Sequence, residues 1–285
     1  MHLVRRSNDI SVFNDFLASY RRNAPGIAHD LLIIFKGLTS EDSIAPYETL
    51  LDGVPHKQIR MLDFGYDVRP YVKVARDYPY RYFLFLNSFS RVLVPGWLEV
   101  FYRQAQRSGV GIVGATGSYQ SNASDYLTFK NEKPRTLLVR TVLPVYRHLR
   151  YRLVIRPHFP EFPNYHIRTN AFMISREIMA GLRTEMVLRK WQAYRFESSR
   201  EGMTRQIMAN GLAPVVVGAD GRGYEPPDWH HARTFWISRQ ENLVISDNQT
   251  QTYAEGSEAL RERLAFHAWR RYPDGELRTD APPLP

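Results

Sequence analysis

FLFLNSFSRVLVPGWLEVFYRQAQRSGVGIVGATGS, residues Phe83–Ser118, is the stretch on which the fold turns. With Tyr82 in front, Phe83–Leu86 is a continuous apolar run closed by polar Asn87 and Ser88, which reads as a buried strand. Pro95 to Ser108 reads as a helix with a proline in its first turn and a stop before Gly109. Gly111–Gly114 is a further strand. Working outward, Leu31–Phe35 is another buried strand, preceded by a helix that places Val12, Phe13, Phe16, Leu17 and Tyr20 on one face. A strand at Ile59–Leu62 and a helix at Pro70–Tyr78 follow. Downstream come a strand at Ala171–Ile174, helices at Arg176–Leu182 and Ser199–Asn210, and a strand at Pro214–Val217. A short strand at Leu243–Ile245 and a helix at Leu260–Trp269 complete the series. Strands alternating with helices in this rhythm predict an α/β fold, a mostly parallel sheet with helices on both faces. One domain is expected over 1–257, with a basic insertion at about 121–165, then a C-terminal helix and polar tail over 258–285.

The bulk numbers narrow the classes. A chain of 285 residues suffices for one large α/β core. No apolar run is long enough to span a bilayer, and the start of the chain has no signal-peptide core. Cysteine is absent, which excludes disulfides and thiolate metal sites; the expected compartment is reducing and cytoplasmic. A net charge of +9 asks for an anionic partner: nucleic acid, an anionic membrane surface or a phosphorylated small molecule.

Gly109, Gly111 and Gly114 match G-x-G-x-x-G, the dinucleotide fingerprint. That motif needs a strand before it and a helix N-terminus after it. Here a helix precedes the glycines and a strand contains them. The match is discounted.

The carboxyl edge of such a sheet is where ligands bind. Asp63, Gly65 and Asp67 follow the third strand there, as donor-site candidates for ribose or base; the ordinary alternative is a loop that caps the next helix. Asn87 and Ser88 end the most hydrophobic strand, and either face a ligand or satisfy their own turn. His230 and His231 are read as extended, hence pointing apart and unfit to share one ion. Arg233 is the better phosphate partner. Gln240, Asn242, Asp247, Asn248, Gln249 and Thr250 form an amide-rich segment expected to fold back over the site.

Phe83–Ser118 resembles the middle of glycosyltransferases with the GT-A fold, especially bacterial inverting enzymes related to polysaccharide rhamnosyltransferases. HIRTNAFMISREIM (His166–Met179) looks like that family's acceptor-side loop and strand, and RFESSREGMTRQIMANGLAPVVV (Arg195–Val217) like its later helix, whose N-terminal acid serves as general base. The resemblance covers roughly residues 3–225. It implies Glu197 as the base and His166, Arg168 and Asn170 as acceptor-binding residues. It also implies a first strand ending near Arg5, Arg6 and Ser7, which become donor candidates, with that strand clipped or misassigned at the start codon. Where the family has Asp-x-Asp for a divalent metal, this chain has Asn87-Ser88-Phe89-Ser90, poor ligands for Mg or Mn. The first expectation is then that Arg or Lys neutralises the departing diphosphate; the second is metal held by Asp63 or Asp67; the third is lost catalysis.

Arg135, Arg140, Arg147, Arg150, Arg152 and Arg156 alternate with Leu137, Leu138, Val142, Leu143, Tyr146 and Leu149. They suggest an interfacial helix on anionic lipid, interrupted at Pro144, or a packed helix with solvated arginines. The sequence thus points to a nucleotide-sugar-dependent glycosyltransferase acting on a glycan or lipid-linked acceptor in bacterial surface polysaccharide synthesis. It would sit peripherally at the inner face of the cell membrane, with no nucleic acid partner. The alternative is a non-catalytic nucleotide- or glycan-binding module of the same fold.

Overall fold

The computed structural model describes residues 1–63, 65–128, 137–184 and 189–277. Arg135 of the basic cluster, Phe64 of the Asp63–Asp67 loop and the proline-ended tail lie outside the described residues. The first half of the chain runs β1 (His2–Arg5), α1 (Ile10–Arg22), β2 (Leu32–Lys36), α2 (Glu41–Leu50), β3 (Lys57–Met61), α3 (Val68–Asp77), β4 (Tyr82–Leu86) and β5 (Arg91–Val92). Then come α4 (Trp97–Ala105), β6 (Val110–Gly114), β7 (Gly117–Ser118), α5 (Asn122–Thr128), α6 (Leu137–Arg150), a π-helical turn Tyr151–Ile155 and α7 (Arg156–His158). The chain continues with β8 (His166–Ile167), β9 (Ala171–Ser175), α8 (Arg176–Gly181), α9 (Lys190–Ser198), α10 (Met203–Ala209), β10 (Ala213–Val217) and β11 (Gly223–Tyr224). A 3₁₀ helix Pro226–Ala232, β12 (Ile245–Ser246), α11 (Asn248–Glu255) and α12 (Glu258–Trp269) complete it.

Among the described residues the main sheet has eight strands in the order β11-β10-β6-β9-β4-β1-β2-β3. β1, β2, β3 and β4 run parallel, as do β6 and β10; β9 enters antiparallel between β4 and β6. The expected mostly parallel α/β sheet is present, and the alternation of side chains divides it into two cores. Leu3, Leu32, Ile34, Phe83, Phe85, Phe172 and Ile174 face one, with Tyr71 and Val74 of α3 and Trp269 of α12. Val4, Ile33, Phe35, Leu84, Leu86 and Met173 face the other, with Phe13 and Phe16 of α1 and Trp97 and Phe101 of α4. A strand buried on both faces must be apolar throughout, which is why these segments read as unbroken runs.

Four local expectations are corrected. α4 starts at Trp97, because Gly96 takes a left-handed conformation (φ 71) and the amides of Leu98 and Glu99 donate to the Pro25 carbonyl; Pro95 lies outside. The helix expected over Ser199–Asn210 is the shorter α10, which starts only at Met203; Ser199–Gly202, with Ser199 extended, separates it from α9. Pro144 does not interrupt α6, which runs through it to Arg150 and on into the π turn. The strand expected at Leu243–Ile245 is displaced to Ile245–Ser246, paired with β5. No helix among the described residues is long and apolar enough to cross a membrane.

The second core contains an unusual member. His2 is fully buried and stacked on Phe16 at 3.7 Å, and neither ring nitrogen has a hydrogen-bond partner. Burial, aided by the neighbouring chain terminus, holds its pKa well below the ordinary value. Two orphaned polar atoms in an apolar site cost about 1–3 kcal/mol each. His2→Phe is therefore expected to raise stability by about 1–2 kcal/mol, after allowing for imperfect repacking. A folded pKa this depressed costs the native state stability as pH falls below the unfolded value of 6.5, since only the unfolded chain takes up the proton. The advantage of Phe should widen between pH 7 and 5 in thermal melts.

Candidate active site

Strand parity brings polar residues to one place. Arg5 pairs with Lys36 in register, and both fall on the face occupied by Leu3, Leu32 and Ile34. Asn87 continues the same alternation beyond Phe83 and Phe85, and Asn170 beyond Phe172. The Asn87 amide donates to the Asn170 carbonyl at 2.8 Å, extending the β4–β9 ladder by one step. β9 is antiparallel, so its N-terminal end meets the carboxyl ends of its parallel neighbours. The rim therefore runs from Asn170 through Asn87 and Arg5 to Lys36 and Asp63.

One half of this rim is a charge cluster. Arg5 lies 3.8 Å from both Asp63 and Asp67 and Lys36 lies 3.5 Å from Asp63, while the Lys36 ammonium donates to the Gly65 carbonyl. Burial lowers the Lys36 pKa. Burial also raises the Asp67 carboxyl, against the pull of Arg5 and Lys36. Gly37, at φ 80, allows the approach: a Cβ there would lie 2.9 Å from the Asp63 Cβ and 3.1 Å from the Arg6 Cβ.

The other half centres on Glu197, which accepts from both the amide and the hydroxyl of Thr169. Burial would raise its carboxyl, but Arg168, His166 and the Thr169 hydrogen bonds hold it below its ordinary value. His166 is buried, its Nδ1 2.8 Å from the Asn164 carbonyl, and burial lowers its pKa despite Glu197. The Arg168 guanidinium lies over the Phe235 ring at 4.4 Å. Asn170 accepts from Thr116 through Oδ1 at 2.8 Å. Tyr71, stacked on Phe85 at 4.7 Å, lies between the halves: burial raises its pKa, and so do the charges of Asp67 and Glu197.

Buried polar atoms without hydrogen-bond partners gather here. They include Arg5 Nε, Tyr71 Oη, Arg168 Nε and Asn170 Nδ2, with Asp67 Oδ1, which has no hydrogen bond and only the Arg5 guanidinium at 3.8 Å. Native interiors satisfy almost all such atoms, so a concentration of them marks a place built for ligand groups. A cleft of about 830 Å³ lies instead at the amino ends of the strands, between Tyr80–Tyr82 and Ser175–Glu177. Arg176 in its wall is bonded to the Ala75 carbonyl, and none of the orphaned buried polar atoms among the described residues belongs to its lining, so the rim is the better candidate.

Several expected residues stand elsewhere or do other work. Arg6 and Ser7 are exposed, and of the N-terminal trio only Arg5 joins the cluster. Asn87 Oδ1 accepts from the Phe89 amide and the Ser90 hydroxyl, the turn-satisfying role. Ser88 points to the opposite face, beside Asn8 and Val12. Glu197 lies in the last turn of α9, so it is not an N-terminal acid, and its pKa is lowered. Arg233 is bonded to Glu241 at 2.9 Å. His230 and His231 belong to a 3₁₀ helix and their rings lie 3.8 Å apart. His230 is buried and its pKa pushed down to about 4 by burial and by Arg271. The amide-rich segment bonds internally: Gln240 donates to the Thr250 carbonyl, Asn242 to the Ala232 carbonyl, and Asp247 caps α11. Only its neighbours Phe235 and Trp236 reach the site, through Arg168. Sequence reasoning missed Lys36, whose parity with Leu32 and Ile34 was the available signal, and Tyr71. Gly111 and Gly114 serve packing: a Cβ at either would lie 2.5 Å from Ile207 or Ile167.

The residues do not suit a divalent ion. Asp63 and Asp67 face Arg5 and Lys36, Asn87 is engaged in its turn, and no three His, Asp or Glu side chains come together among the described residues.

Among solved structures, the chain is similar to a mannosyltransferase, PcManGT from Pyrobaculum calidifontis, in complex with GDP-Man and Mn²⁺: 9% identity, TM-score 0.46, covering 81% of this chain and 59% of that one. It is also similar to mouse xyloside xylosyltransferase 1 in its apo form, at 14% identity and TM-score 0.37, covering 63% of this chain and 67% of that one. A third is 4-diphosphocytidyl-2C-methyl-D-erythritol synthase from Anaerococcus prevotii, at 9% identity and TM-score 0.41, covering 78% and 86%. The chain spans about three fifths (59%) of the mannosyltransferase's length. No family model matches the chain. No curated protein matches it.

Proposed function

We propose that the chain is a GT-A-like glycosyltransferase that moves a sugar from a nucleotide-sugar donor to an acceptor hydroxyl. The observation that carries this reading is the run of buried polar atoms without hydrogen bonds along the rim, Arg5 Nε and Arg168 Nε at either side with Tyr71 Oη and Asn170 Nδ2 among them, beside the Arg5–Asp67 ion pair. Guanidinium and ammonium groups suit diphosphate oxygens, and Asp63 and Asp67 suit ribose or base. Glu197, ionised at neutral pH, takes the proton of the acceptor hydroxyl as its oxygen bonds to the anomeric carbon. The bond from that carbon to the diphosphate breaks, the electron pair leaves on the diphosphate, and Arg5 and Lys36 stabilise the charge. His166, Arg168 and Asn170, beside Glu197, hold the acceptor. Inversion, and a role in bacterial surface polysaccharide synthesis on a lipid-linked glycan, follow the resemblance of Phe83–Ser118.

Melting with a panel of nucleoside diphosphates and their sugars, with and without Mn²⁺, tests the reading. A ligand at one hundred times its Kd raises stability by about 2.7 kcal/mol. One base should stand out, and its shift should survive without Mn²⁺. No shift with any nucleotide would end the proposal.

A further inference from the structure

From Leu137 to His158 the sequence holds five arginines (Arg140, Arg147, Arg150, Arg152 and Arg156) and no Asp or Glu. This segment is one continuous helical rod: α6, the π turn and α7. Among the described side chains its packing lies on one side. Ile155 is buried and Tyr151 partly so, packing with Phe159 on Tyr126 of α5 and Trp191 of α9 in a small separate core. The rest of the rod beyond Leu143 is open. Val145 is 60% exposed, Tyr146 57%, Leu149 52% and Leu153 72%. Tyr146, Leu149 and Leu153 fall at spacings of three, four and seven, one helical stripe that the adjacent Val145 widens, with Arg152 and Arg156 along one edge and Arg150, its guanidinium over the Tyr126 ring at 5.9 Å, along the other. Arg156 has a neighbouring acid, Glu161, at 3.9 Å.

We infer that this face docks the protein on an anionic lipid surface. Large aliphatic side chains exposed in a stripe lose free energy in water and regain it below the headgroups, while flanking arginines meet lipid phosphates. Nucleic acid would use the arginines but leave the aliphatic stripe in water. The complete lack of acidic residues argues for a uniformly negative partner, where a folded protein would offer mixed charge. The position adds a consequence: Trp191, which packs on Phe159 at 5.1 Å, lies on α9, the helix that carries Glu197. The rod therefore borders the candidate acceptor side, and docking would bring Glu197 toward acceptors held at the membrane.

Vesicle flotation with the full chain tests this without donor or turnover, so its failure is separable from failure of the transferase reading. Vesicles of three parts phosphatidylcholine to one part phosphatidylglycerol should bind the protein, and pure phosphatidylcholine should not. Arg150→Ala with Arg152→Ala should weaken partitioning about fivefold per arginine. Leu149→Glu with Leu153→Glu, both exposed and outside the packed side, should weaken it at least tenfold with unchanged melting temperature. Wild-type protein that ignores the anionic vesicles, or either double variant binding as wild type does, overturns the proposal. So does an oligonucleotide that binds in competition with the vesicles and is insensitive to the Leu149/Leu153 pair.

Discussion

Glu197→Gln is expected to abolish sugar transfer, lowering turnover by about 10²–10⁴-fold while donor binding is retained. The amide keeps the size of the side chain and can still accept from Thr169, so the hydrogen-bonded frame survives. What it loses is the ability to take a proton. The pH profile gives a second reading. Burial acts to raise this carboxyl, but Arg168, His166 and Thr169 outweigh it, so the folded value lies below the ordinary 4.5. A depressed carboxylate contributes stability that is full above its unfolded pKa and is lost as pH falls through the folded one. The acid limb of turnover should therefore lie below the usual glutamate range, and Thr169→Val should shift it upward. Retained donor binding with lost turnover supports the base. Wild-type protein that binds donor yet transfers nothing to any acceptor supports a binding module.

The sequence carried the sheet further than the site, for physical reasons. Tyr82–Leu86 was legible to the residue because a strand buried on both faces is apolar throughout, and polar Asn87 stops it sharply. That same uniformity hides direction: nothing in Ala171–Ser175 says that β9 enters antiparallel, because buried strands of either sense look alike. The site depends on that insertion, since it brings Asn170 and Thr169 to the rim. Lys36 went unread because a lysine after an apolar run looks like the end of a strand, whereas here it continues the ladder opposite Arg5. Glu197 was set at the start of the later helix by the resemblance of Arg195–Val217, whereas the backbone breaks at Ser199–Gly202 and leaves it in the last turn of α9.

Arg5→Gln is expected to raise the Kd for the donor nucleotide by about tenfold to hundredfold, the range for removing a charge-assisted hydrogen bond. It should also expose the electrostatics of the rim through a pH-dependent loss of stability. Burial raises the Asp67 carboxyl, and Arg5 is the strongest opposing influence. Without Arg5 the folded value climbs further above the unfolded 3.8, with Lys36 left as the nearest cation. A raised folded pKa favours the protonated native form, so the variant's deficit must be small below the unfolded value and grow as pH rises through the folded one. Melting curves should accordingly separate wild type from Arg5→Gln more at pH 7 than at pH 4. Adding Asp67→Asn should recover most of the lost stability, because an unpaired buried carboxylate costs more than its neutral isostere. It should not recover diphosphate affinity. A double variant that regains binding would show that Arg5 only holds Asp67 in place, and that Lys36 meets the diphosphate without it.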